Sequence, residues 1–534
     1  MNKLFFPDGF DFDEPLSVPG DVSPIDIRIP VPGAEETADN DPESGNEGGE
    51  IPGMHIGPVI LFPQTAQVKN RLLLTVRGVK FLTTLVTSSN TAEEKTMKPV
   101  LMIVVTFVLY ASGLSAQVLS PFVTVSSDSG MQGWIQVAYN TTDDEYFVVW
   151  EDYRNDPRCD IYGRRVQADG TPIGESFAIC DLPGSQKYWP HLDFDPFNNR
   201  YLVVFEDSRN GNNDVYGCLL NADGTKVWTD SSETDTCFAI SKHPSSSVYA
   251  PTVSFLPGQG RYLVVWADLR NGQYRDVYGQ IVDAGGRLLP PSDAAHPDVN
   301  FAVASDGETS QNVPFVSTHP DLNEWLVVFG NGLGIQSRIS AQRVDPDGRL
   351  LMQDGSPGSE WISISDIANL HHDWTQPRAQ FNSEPFYGEL RKSAVNGGSI
   401  ECLIAWNTKA VSEQLDVHGQ RLAYIPDSDA VRMGFREGTA EDGRFYALFA
   451  DMDGGFSADT RSNFVISDAP GAQNACDLAY SVLDDEWFVA WGDRRRDTGW
   501  TGRISDLYGQ RIARQEDGRI LLLNGDRTAE VSSS

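Results

Sequence analysis

Charged side chains that could bind a cation or a counter-charge recur after three similar apolar segments. The three sets are Asp152, Arg154 and Asn155; Asp207, Arg209 and Asn210; and Asp268, Arg270 and Asn271. Asp and Arg two positions apart at a strand end point the same way, so each set can form a carboxylate–guanidinium pair. A set that recurs in successive copies is typical of a structural contact. The alternative is a calcium site with oxygen ligands from Asp152, Asn155 and Asp160, and no other cofactor is predicted.

A second group of residues does not recur. Its members are Trp189, His191, Tyr249, His371, His372, Trp374, Arg494 and Trp500. They lie where the copies differ, which is where a specific site is best sought. Aromatic rings beside charged groups suit a sugar or peptide ligand, and the alternative is that they cover strand edges. Adjacent histidines on a strand face opposite ways, so His371 and His372 form a weak metal pair.

The elements that position these residues are built on one pattern, best seen in residues 201–224. Tyr201, Val203 and Phe205 alternate with two further apolar residues, which predicts a strand buried on both faces. Asn210-Gly211 supplies the positive φ angles of a tight hairpin turn. Residues 214–220 then return in β-prone residues and reach a second turn at 221–224.

This pattern recurs to the end of the chain. Its first strand is recognisable at residues 146–150, 201–205, 262–266, 325–329, 402–406 and 487–491. Four short antiparallel strands per repeat are typical of a β-propeller blade. The sequence therefore predicts an all-β protein with a single propeller of six four-stranded blades over residues 117–534. Seven blades are the alternative, because residues 444–451 imitate another core strand; six blades require an insertion in the fifth.

The hairpin motif resembles the repeat of TolB-type six-bladed propellers, which occur in many secreted bacterial proteins. The resemblance rests on Asp-Ser-Arg-Asn-Gly-Asn-Asn-Asp-Val-Tyr at 207–216, followed by Asn-Ala-Asp-Gly at 221–224. It covers the chain from about Ser120 onward. The sequence departs from the family at 195–199, where Asp-Pro-Phe-Asn-Asn replaces a Trp-Ser-Pro-Asp-Gly turn. The resemblance implies the architecture, and the family's partners do not carry over.

The first 116 residues differ from the rest. Residues 35–50 are almost entirely polar or acidic, which predicts disorder for a segment spanning 1–96. Residues 97–116 have a methionine, a lysine, an apolar run and a small-residue exit, in the order of a secretory signal peptide. We interpret Met97 as the true start and 1–96 as an upstream extension. The alternative is a signal anchor at 99–119, which is the only case in which a membrane is involved.

All six cysteines follow Ala116, as expected if that part meets an oxidising compartment. In blade two, Cys218 is expected opposite Cys237. Applying the same register to the third and fourth strands of blade one places Cys159 opposite Cys180, to within one residue. The sequence therefore predicts these two cross-strand disulfides. The remaining two, Cys402 and Cys476, lie in core strands of different blades and are predicted to be buried thiols.

The net charge and the absence of known catalytic motifs limit the possible functions. A net charge of −34 over 534 residues argues against nucleic acid and anionic membranes as partners. No nucleophile elbow, phosphate-binding loop, His-Glu-x-x-His or Cys-x-x-Cys occurs. The leading hypothesis is a secreted, non-enzymatic propeller that binds an extracellular polysaccharide or protein at its loop-rich face. The alternative is an extracellular carbohydrate-active hydrolase or lyase with its site in the propeller funnel.

Ring closure is the last expectation. Residues 122–126 match the fourth-strand pattern but have no blade ahead of them. We expect them to pair with residues 506–512 and close the ring, because an open sheet edge invites aggregation. Residues 529–532 are the competitor for that edge.

Overall fold

The structure is a computed structural model. It describes residues 60–61, 70–76, 79–85 and 123–523, with gaps in the last range at 156–158, 228–236, 242, 244–246, 292–299, 333–337, 366–376, 382–399, 409–415, 442, 470–471, 482–484, 494–505 and 516–517. The chain divides into two units, 1–119 and 120–534. In the first unit, β1 (Ile60–Leu61), β2 (Asn70–Val76) and β3 (Val79–Leu85) form an antiparallel sheet in that order. The segments on which predicted disorder (35–50) and the signal peptide (97–116) rest lie outside the described residues.

The second unit is an all-β propeller of six four-stranded blades, as predicted. In blades three and four the fourth strand is divided into two short strands that pair with the same third strand. Blade one contains β4 (Gln132–Asn140), β5 (Glu145–Asp152), β6 (Asp160–Gln167) and β7 (Pro172–Cys180). Blade two contains β8 (Lys187–Asp195), β9 (Arg200–Asp207), β10 (Asp214–Asn221) and β11 (Cys237–Ala239). Blade three contains β12 (Val248–Leu256), β13 (Arg261–Asp268), β14 (Asp276–Asp283), β15 (Leu288–Leu289) and β16 (Phe301–Ala304).

The other three blades repeat this order. Blade four contains β17 (Gln311–His319), β18 (Glu324–Asn331), β19 (Arg338–Val344), β20 (Leu350–Leu351) and β21 (Ile362–Ser363). Blade five contains β22 (Arg378–Phe381), β23 (Ile400–Thr408), β24 (Asp416–Pro426), helix α1 (Asp427–Arg432), β25 (Phe445–Ala450), β26 (Phe456–Ser457) and β27 (Phe464–Ser467). Blade six contains β28 (Gln473–Ser481), β29 (Glu486–Asp493), β30 (Asp506–Arg514) and β31 (Ile520–Leu523). No helix among the described residues is long and apolar enough to cross a membrane.

The six-blade prediction is confirmed together with the insertion in blade five. The strand-like residues at 444–451 form β25, which pairs with the far end of β24 and does not begin a new blade. The long β24 has room for β25 at one end and for β27 at the other. Helix α1 and the chain up to β25 make up the rest of the insertion.

Alternation along the second strand of each blade joins one blade to the next. Tyr201, Val203 and Phe205 of β9 pack into an apolar cluster with blade one, whereas Leu202 and Val204 pack into a cluster with blade three. Five such clusters connect successive blades from one to six. The two-faced burial predicted for the repeat is therefore what assembles the propeller.

The recurring Asp–Arg set is a structural contact. The Asp207 carboxylate accepts hydrogen bonds from the backbone N–H and the Nη2 of Arg209, at 2.8 and 2.6 Å. The guanidinium lies 3.9 Å from the ring centre of Tyr216, and its Nη2 lies 3.4 Å from Sγ of Cys180 in the preceding blade. In blade three, Arg270 repeats the contact and reaches back to Ser241. Arg209 and Arg270 thus hold their hairpins to the blade before them, whereas Arg154 of blade one donates to Ser176 of its own blade.

The cysteine pairing expected from the sequence is not formed. Among the residues described, all six cysteines are buried free thiols. Cys218 does lie opposite Cys237 in the antiparallel ladder, as predicted. Cys159 is not opposite Cys180, because two irregularities in the pairing of β6 with β7 put Ile161 there instead. Register counted from the sequence could not include these bulges.

The predicted closing strand is also wrong over its described residues. Residues 123–126 form no strand, and the carbonyl oxygen of Val125 accepts a hydrogen bond from Arg164 of blade one at 2.7 Å. The outer position beside β30 is taken by β31, so blade six supplies its own fourth strand. On the sides of blades one and six that face each other, Val137 of blade one and Phe488 of blade six are exposed. Leu507 of blade six is 87% exposed.

Candidate functional site

The innermost strands of the six blades surround a cavity of about 410 Å³ on the propeller axis. Each blade contributes residues from its first strand: β4, β8, β12, β17, β22 and β28. The polar residues in the lining are Gln136, His191, Asp193, Ser254, Ser317, Thr318, Gln380 and Asp477. A mixed wall of apolar and convergent polar side chains is the usual character of a ligand site.

Bulges shape the mouth of this cavity. The pairing of the first strand with the second is shifted in five blades, at equivalent positions. Trp134, Trp189, Ala250 and Val313 occupy the bulges of the first four blades with φ of 45°, 55°, 50° and 43°. Non-glycine residues rarely adopt this left-handed conformation, so the surrounding structure must hold it.

Buried glutamates hold two of the bulges. Glu151 accepts a hydrogen bond from the backbone N–H of Trp189 at 2.8 Å, and Glu206 accepts one from that of Ala250 at 2.9 Å. The second oxygen of Glu206 accepts from Nδ2 of Asn213 at 2.8 Å. Burial raises the pKa of Glu151, and it raises the pKa of Glu206 to about 7. Both carboxyls are engaged with the backbone of the neighbouring blade and are not exposed to the cavity.

Two side chains of β8 project into the cavity wall and bind the backbone of the next blade. His191 accepts a hydrogen bond at Nδ1 from the N–H of Val253, 3.3 Å away, so its Nε2 carries the proton in the neutral ring. Burial and the charge of Arg378 lower the pKa of His191 to about 3. Asp193 accepts hydrogen bonds from the N–H groups of Phe255 and Phe194, at 2.7 and 2.8 Å. Burial nevertheless raises the pKa of Asp193 to about 6.

Another part of the wall contains Asp477 and Phe315, and the guanidinium of Arg378 lies beside both. Nε of Arg378 lies 3.6 Å from Oδ1 of Asp477, and the side chain of Asp477 is 70% exposed. The guanidinium lies 5.0 Å from the ring centre of Phe315, on whose ring His191 packs edge-on at 5.7 Å. The cavity therefore contains a partly buried carboxyl and a solvent-exposed carboxylate with a cation beside it.

Aromatic residues flank the cavity at the bulges. The rings of Trp134 and Trp189 are 3.9 Å apart between centres, tilted by 33°, and Trp134 is 50% exposed. At the bulge of blade three, the guanidinium of Arg275 lies 4.3 Å from the ring centre of Tyr249. An exposed indole next to a polar cavity is suited to packing against the apolar face of a sugar ring.

The structure brings together some of the ligand-binding residues predicted from the sequence. His191 lines the cavity, Trp189 flanks it, and Tyr249 lies at the bulge of blade three. The other five lie outside the described residues: His371, His372, Trp374, Arg494 and Trp500.

The proposed calcium ligands have protein partners. Asp152 accepts hydrogen bonds from Arg154 and from Nε1 of Trp150, Asn155 donates one to the Tyr162 hydroxyl, and Asp160 pairs with Lys187 at 2.8 Å. Across the described ranges, no group of three or more His, Cys, Asp or Glu side chains is arranged to hold a metal ion.

The candidate site residues predicted from the sequence did not include Asp193, Arg378 or Asp477, because a site was expected mainly in the connecting loops. Their signal was present. Asp193 follows His191 by two positions on an inner strand, so both side chains lie on the same face. A charged residue that recurs on the innermost strand of several blades, where apolar residues would be expected, indicates a polar cavity at the propeller axis.

Solved structures match this chain only at low sequence identity. No protein-family model matches the chain, and no curated protein sequence matches it. Among solved structures, a protein of unknown function from Dyadobacter fermentans is 11% identical, with a TM-score of 0.41 over 73% of this chain and 96% of that one. A GH93 α-L-arabinofuranosidase of Fusarium graminearum in complex with arabinobiose is 9% identical, with a TM-score of 0.36 over 73% and 96%. An N-acetylgalactosamine deacetylase from F. plautii, in complex with blood group B trisaccharide, is 13% identical, with a TM-score of 0.34 over 61% and 91%.

These similarities are to the propeller fold, and they do not confirm membership of the TolB-type family. The expected non-enzymatic binding function is corrected, because the similar structures include a family-43 glycoside hydrolase and two α-L-arabinofuranosidases. At identities of 9–13%, the chemistry has to be argued from the residues of this chain.

Proposed function

We propose that the protein is a carbohydrate-active hydrolase that cleaves a glycan at the axis of its propeller. The observation that supports this most strongly is the presence of two carboxyl groups in different environments in one cavity. Asp193 is hydrogen-bonded and desolvated, and Asp477 is exposed beside Arg378. Two carboxyl groups with separate environments are what glycosidic hydrolysis requires of an acid and its partner.

Asp193 suits the role of general acid. Its raised pKa, about 6, keeps a useful fraction protonated near neutral pH, where an ordinary aspartate would be ionised. The proton is given to the glycosidic oxygen as the bond to the anomeric carbon breaks. Because the carboxyl also accepts two backbone N–H bonds, its orientation in the wall is fixed.

Asp477 suits the role of the second carboxylate. It lies in the same cavity and is open to water, so it can act as a base toward a water molecule or stabilise positive charge developing on the sugar. Arg378 beside it places a positive charge next to this carboxylate. The exposed ring of Trp134 supplies an apolar surface next to this polar wall.

The test is hydrolysis of a panel of p-nitrophenyl glycosides and plant or bacterial polysaccharides, with reducing ends measured. We expect at least one substrate to be cleaved, and Asp193→Asn and Asp477→Asn to lower kcat by roughly 10²–10⁴-fold. Asp169→Asn is the matched control, because Asp169 is exposed in a turn of blade one and binds only Thr171. Full activity in both cavity variants would overturn the assignment, as would no cleavage of any substrate.

We also propose that the propeller acts outside the cytoplasm, as the TolB-like hairpins and the signal-like residues 97–116 suggest. An extracellular location would give the enzyme access to polysaccharide. Mass spectrometry of the N-terminus of the native protein is the test. Peptides that begin near Gln117 are expected, and recovery of peptides from 1–96 would contradict the proposal.

A further inference from the structure

One ring nitrogen of His191 is left for a ligand of the axial cavity. The side chain lines the cavity and is only partly buried. Its Nδ1 accepts a hydrogen bond from the N–H of Val253 in blade three, at 3.3 Å. Because Nδ1 faces blade three, the Nε2–H is directed away from that blade. Within the described part of the chain, the bond at Nδ1 is the only hydrogen bond of this side chain.

The strand register places His191 at the level of the two carboxyl groups of the proposed site. It is opposite Val204 in blade two, and Asp477 is opposite Ala490, the equivalent residue of blade six, so His191 and Asp477 lie at the same level of the axis. Asp193 lies two residues farther along β8, on the same face and at a distance of about 6.6 Å. A sugar ring bound between the two carboxyl groups is therefore within reach of His191.

The surroundings of the imidazole keep it neutral. It packs edge-on against the ring of Phe315, at 5.7 Å between centres, and the guanidinium of Arg378 lies 5.0 Å from the centre of the same ring. The cavity lining also contains the carboxyl groups of Asp193 and Asp477, but burial and the charge of Arg378 prevail and lower the pKa of His191 to about 3. Nε2 therefore remains a hydrogen-bond donor at the pH values near 6 at which Asp193 titrates.

We propose that His191 is a specificity-determining residue that donates a hydrogen bond from Nε2 to a hydroxyl group of the sugar ring held between Asp193 and Asp477. This inference rests on the proposed hydrolase function. An uncharged donor suits a hydroxyl oxygen, whereas a carboxylate or phosphate would require a cation. A site that hydrogen-bonds a substrate hydroxyl discriminates against the analogue that lacks it. The ligand is therefore an uncharged sugar, and the deoxy analogue at the bound position should be a poor substrate.

The first test determines the tautomer of His191 by NMR, with ¹⁵N-labelled histidine in the full-length protein. Its resonances are identified by their absence from the spectrum of His191→Gln. We expect the neutral Nε2–H form at about pH 7 and still at about pH 5, where an ordinary histidine is protonated. The Nδ1–H form, or a ring that is protonated at about pH 5, would overturn the proposal. This measurement needs no substrate.

The second test compares p-nitrophenyl glycosides with analogues in which each sugar hydroxyl in turn is replaced by hydrogen. His191→Phe keeps a ring next to Phe315 but removes the donor, whereas His191→Gln keeps an N–H donor. With wild type, we expect one deoxy analogue to have a kcat/KM roughly 3–10-fold below that of its parent. With His191→Phe that difference should vanish, and with His191→Gln part of it should remain. Equal discrimination by wild type and His191→Phe would overturn the proposal.

His319 provides the matched control. It also accepts a backbone N–H at Nδ1, from Asp321 at 3.1 Å, and it packs edge-on against Phe381 at 5.9 Å. It does not belong to the lining of the cavity. His319→Phe should therefore discriminate against the deoxy analogue as wild type does, and loss of discrimination in both variants would indicate a structural effect and contradict the role of His191.

Binding to Asp193→Asn separates this inference from the proposed chemistry. The parent glycosides should shift the Nε2 resonance of His191 in this variant, and the deoxy analogue should not. If the glycosides shift that resonance but wild type does not cleave them, the hydrolase proposal fails and the role of His191 as a sugar-binding donor holds. If wild type cleaves them and the resonance does not move, the role of His191 fails and the hydrolase proposal holds. Both NMR measurements remain decisive even if His191→Phe does not fold.

Discussion

Replacing Arg343 with Met should destabilise the junction between blades four and five more than the loss of a charge on the surface does. Arg343 is 1% exposed and donates to both oxygens of Glu324, at 2.8 and 2.9 Å. It also donates to the carbonyl oxygens of Met352, Gln353 and Phe445, at 3.1, 2.7 and 3.0 Å. The last of these belongs to β25, so one guanidinium connects two blades.

Met fills much of the same volume but leaves Glu324 as a buried carboxylate with no counter-charge. Breaking a buried ion pair from one side costs about 3–5 kcal/mol, and three carbonyl groups lose a donor as well. The control is Arg287→Met, because Arg287 pairs with Asp283 at 3.0 Å but is 78% exposed. That change should cost less than about 1 kcal/mol. Urea unfolding monitored by tryptophan fluorescence gives both values.

The pH dependence provides a second check. Burial already raises the pKa of Glu324, and loss of Arg343 removes the main opposing influence, so the folded-state pKa should rise further. A carboxyl with a raised folded pKa contributes stability at low pH that is lost as pH rises through that pKa. The deficit of Arg343→Met relative to wild type should therefore be smaller at acidic pH than at pH 8 or so. Equal costs for the Arg343 and Arg287 variants would refute the account of this junction.

Three further predictions follow from particular contacts. Gly217→Ala should cost about 1–3 kcal/mol in urea unfolding, because its Cβ would lie 2.8 Å from Ile240 and 3.0 Å from Phe238; Gly133→Ala, whose Cβ meets nothing within 4 Å, should change little, and equal costs would contradict the packing argument. The free energy of unfolding of Glu206→Gln, relative to that of wild type, should rise by about 3 kcal/mol between pH 5 and pH 8 or so. The reason is that wild type loses stability as pH rises from 4.5 toward the folded pKa of Glu206, about 7. A difference in urea melts that does not change with pH would contradict a buried carboxyl at this position. Trp134→Ala should raise KM for a cleaved glycan several-fold with little change in Tm, since the ring is half exposed, and an unchanged KM would remove it from the site.

The fold was predictable where local pattern and burial agree. Alternation at residues 201–205 predicts a strand with two apolar faces, and those faces do pack against different blades. The glycine after each repeated tyrosine also has a readable reason: at Gly217 a side chain would overlap Phe238 and Ile240 of the outer-strand segment. The strand-like residues 444–451 were ambiguous, because a strand inserted into a blade and a strand that begins one have the same local pattern.

The site was less predictable because it depends on irregular backbone. Trp189 has a left-handed φ, which nothing in the tryptophan side chain favours, and the carboxylate that holds it comes from Glu151 in the previous blade. Two pairing irregularities likewise separated Cys159 from Cys180. Asp193 and Asp477 are far apart in sequence, and only closure of the inner strands around one axis places them in the same cavity.

The most direct test of the proposed catalytic site is the pH dependence of kcat/KM for glycan hydrolysis. If Asp193 is the general acid, activity should fall as pH rises through about 6, since the carboxyl loses the proton that it must donate. That alkaline limb should be missing from the residual activity of Asp193→Asn, while Asp169→Asn should keep the wild-type profile. A wild-type rate that stays constant well above pH 6, or an alkaline limb that persists in Asp193→Asn, would contradict the assignment of Asp193 as the acid.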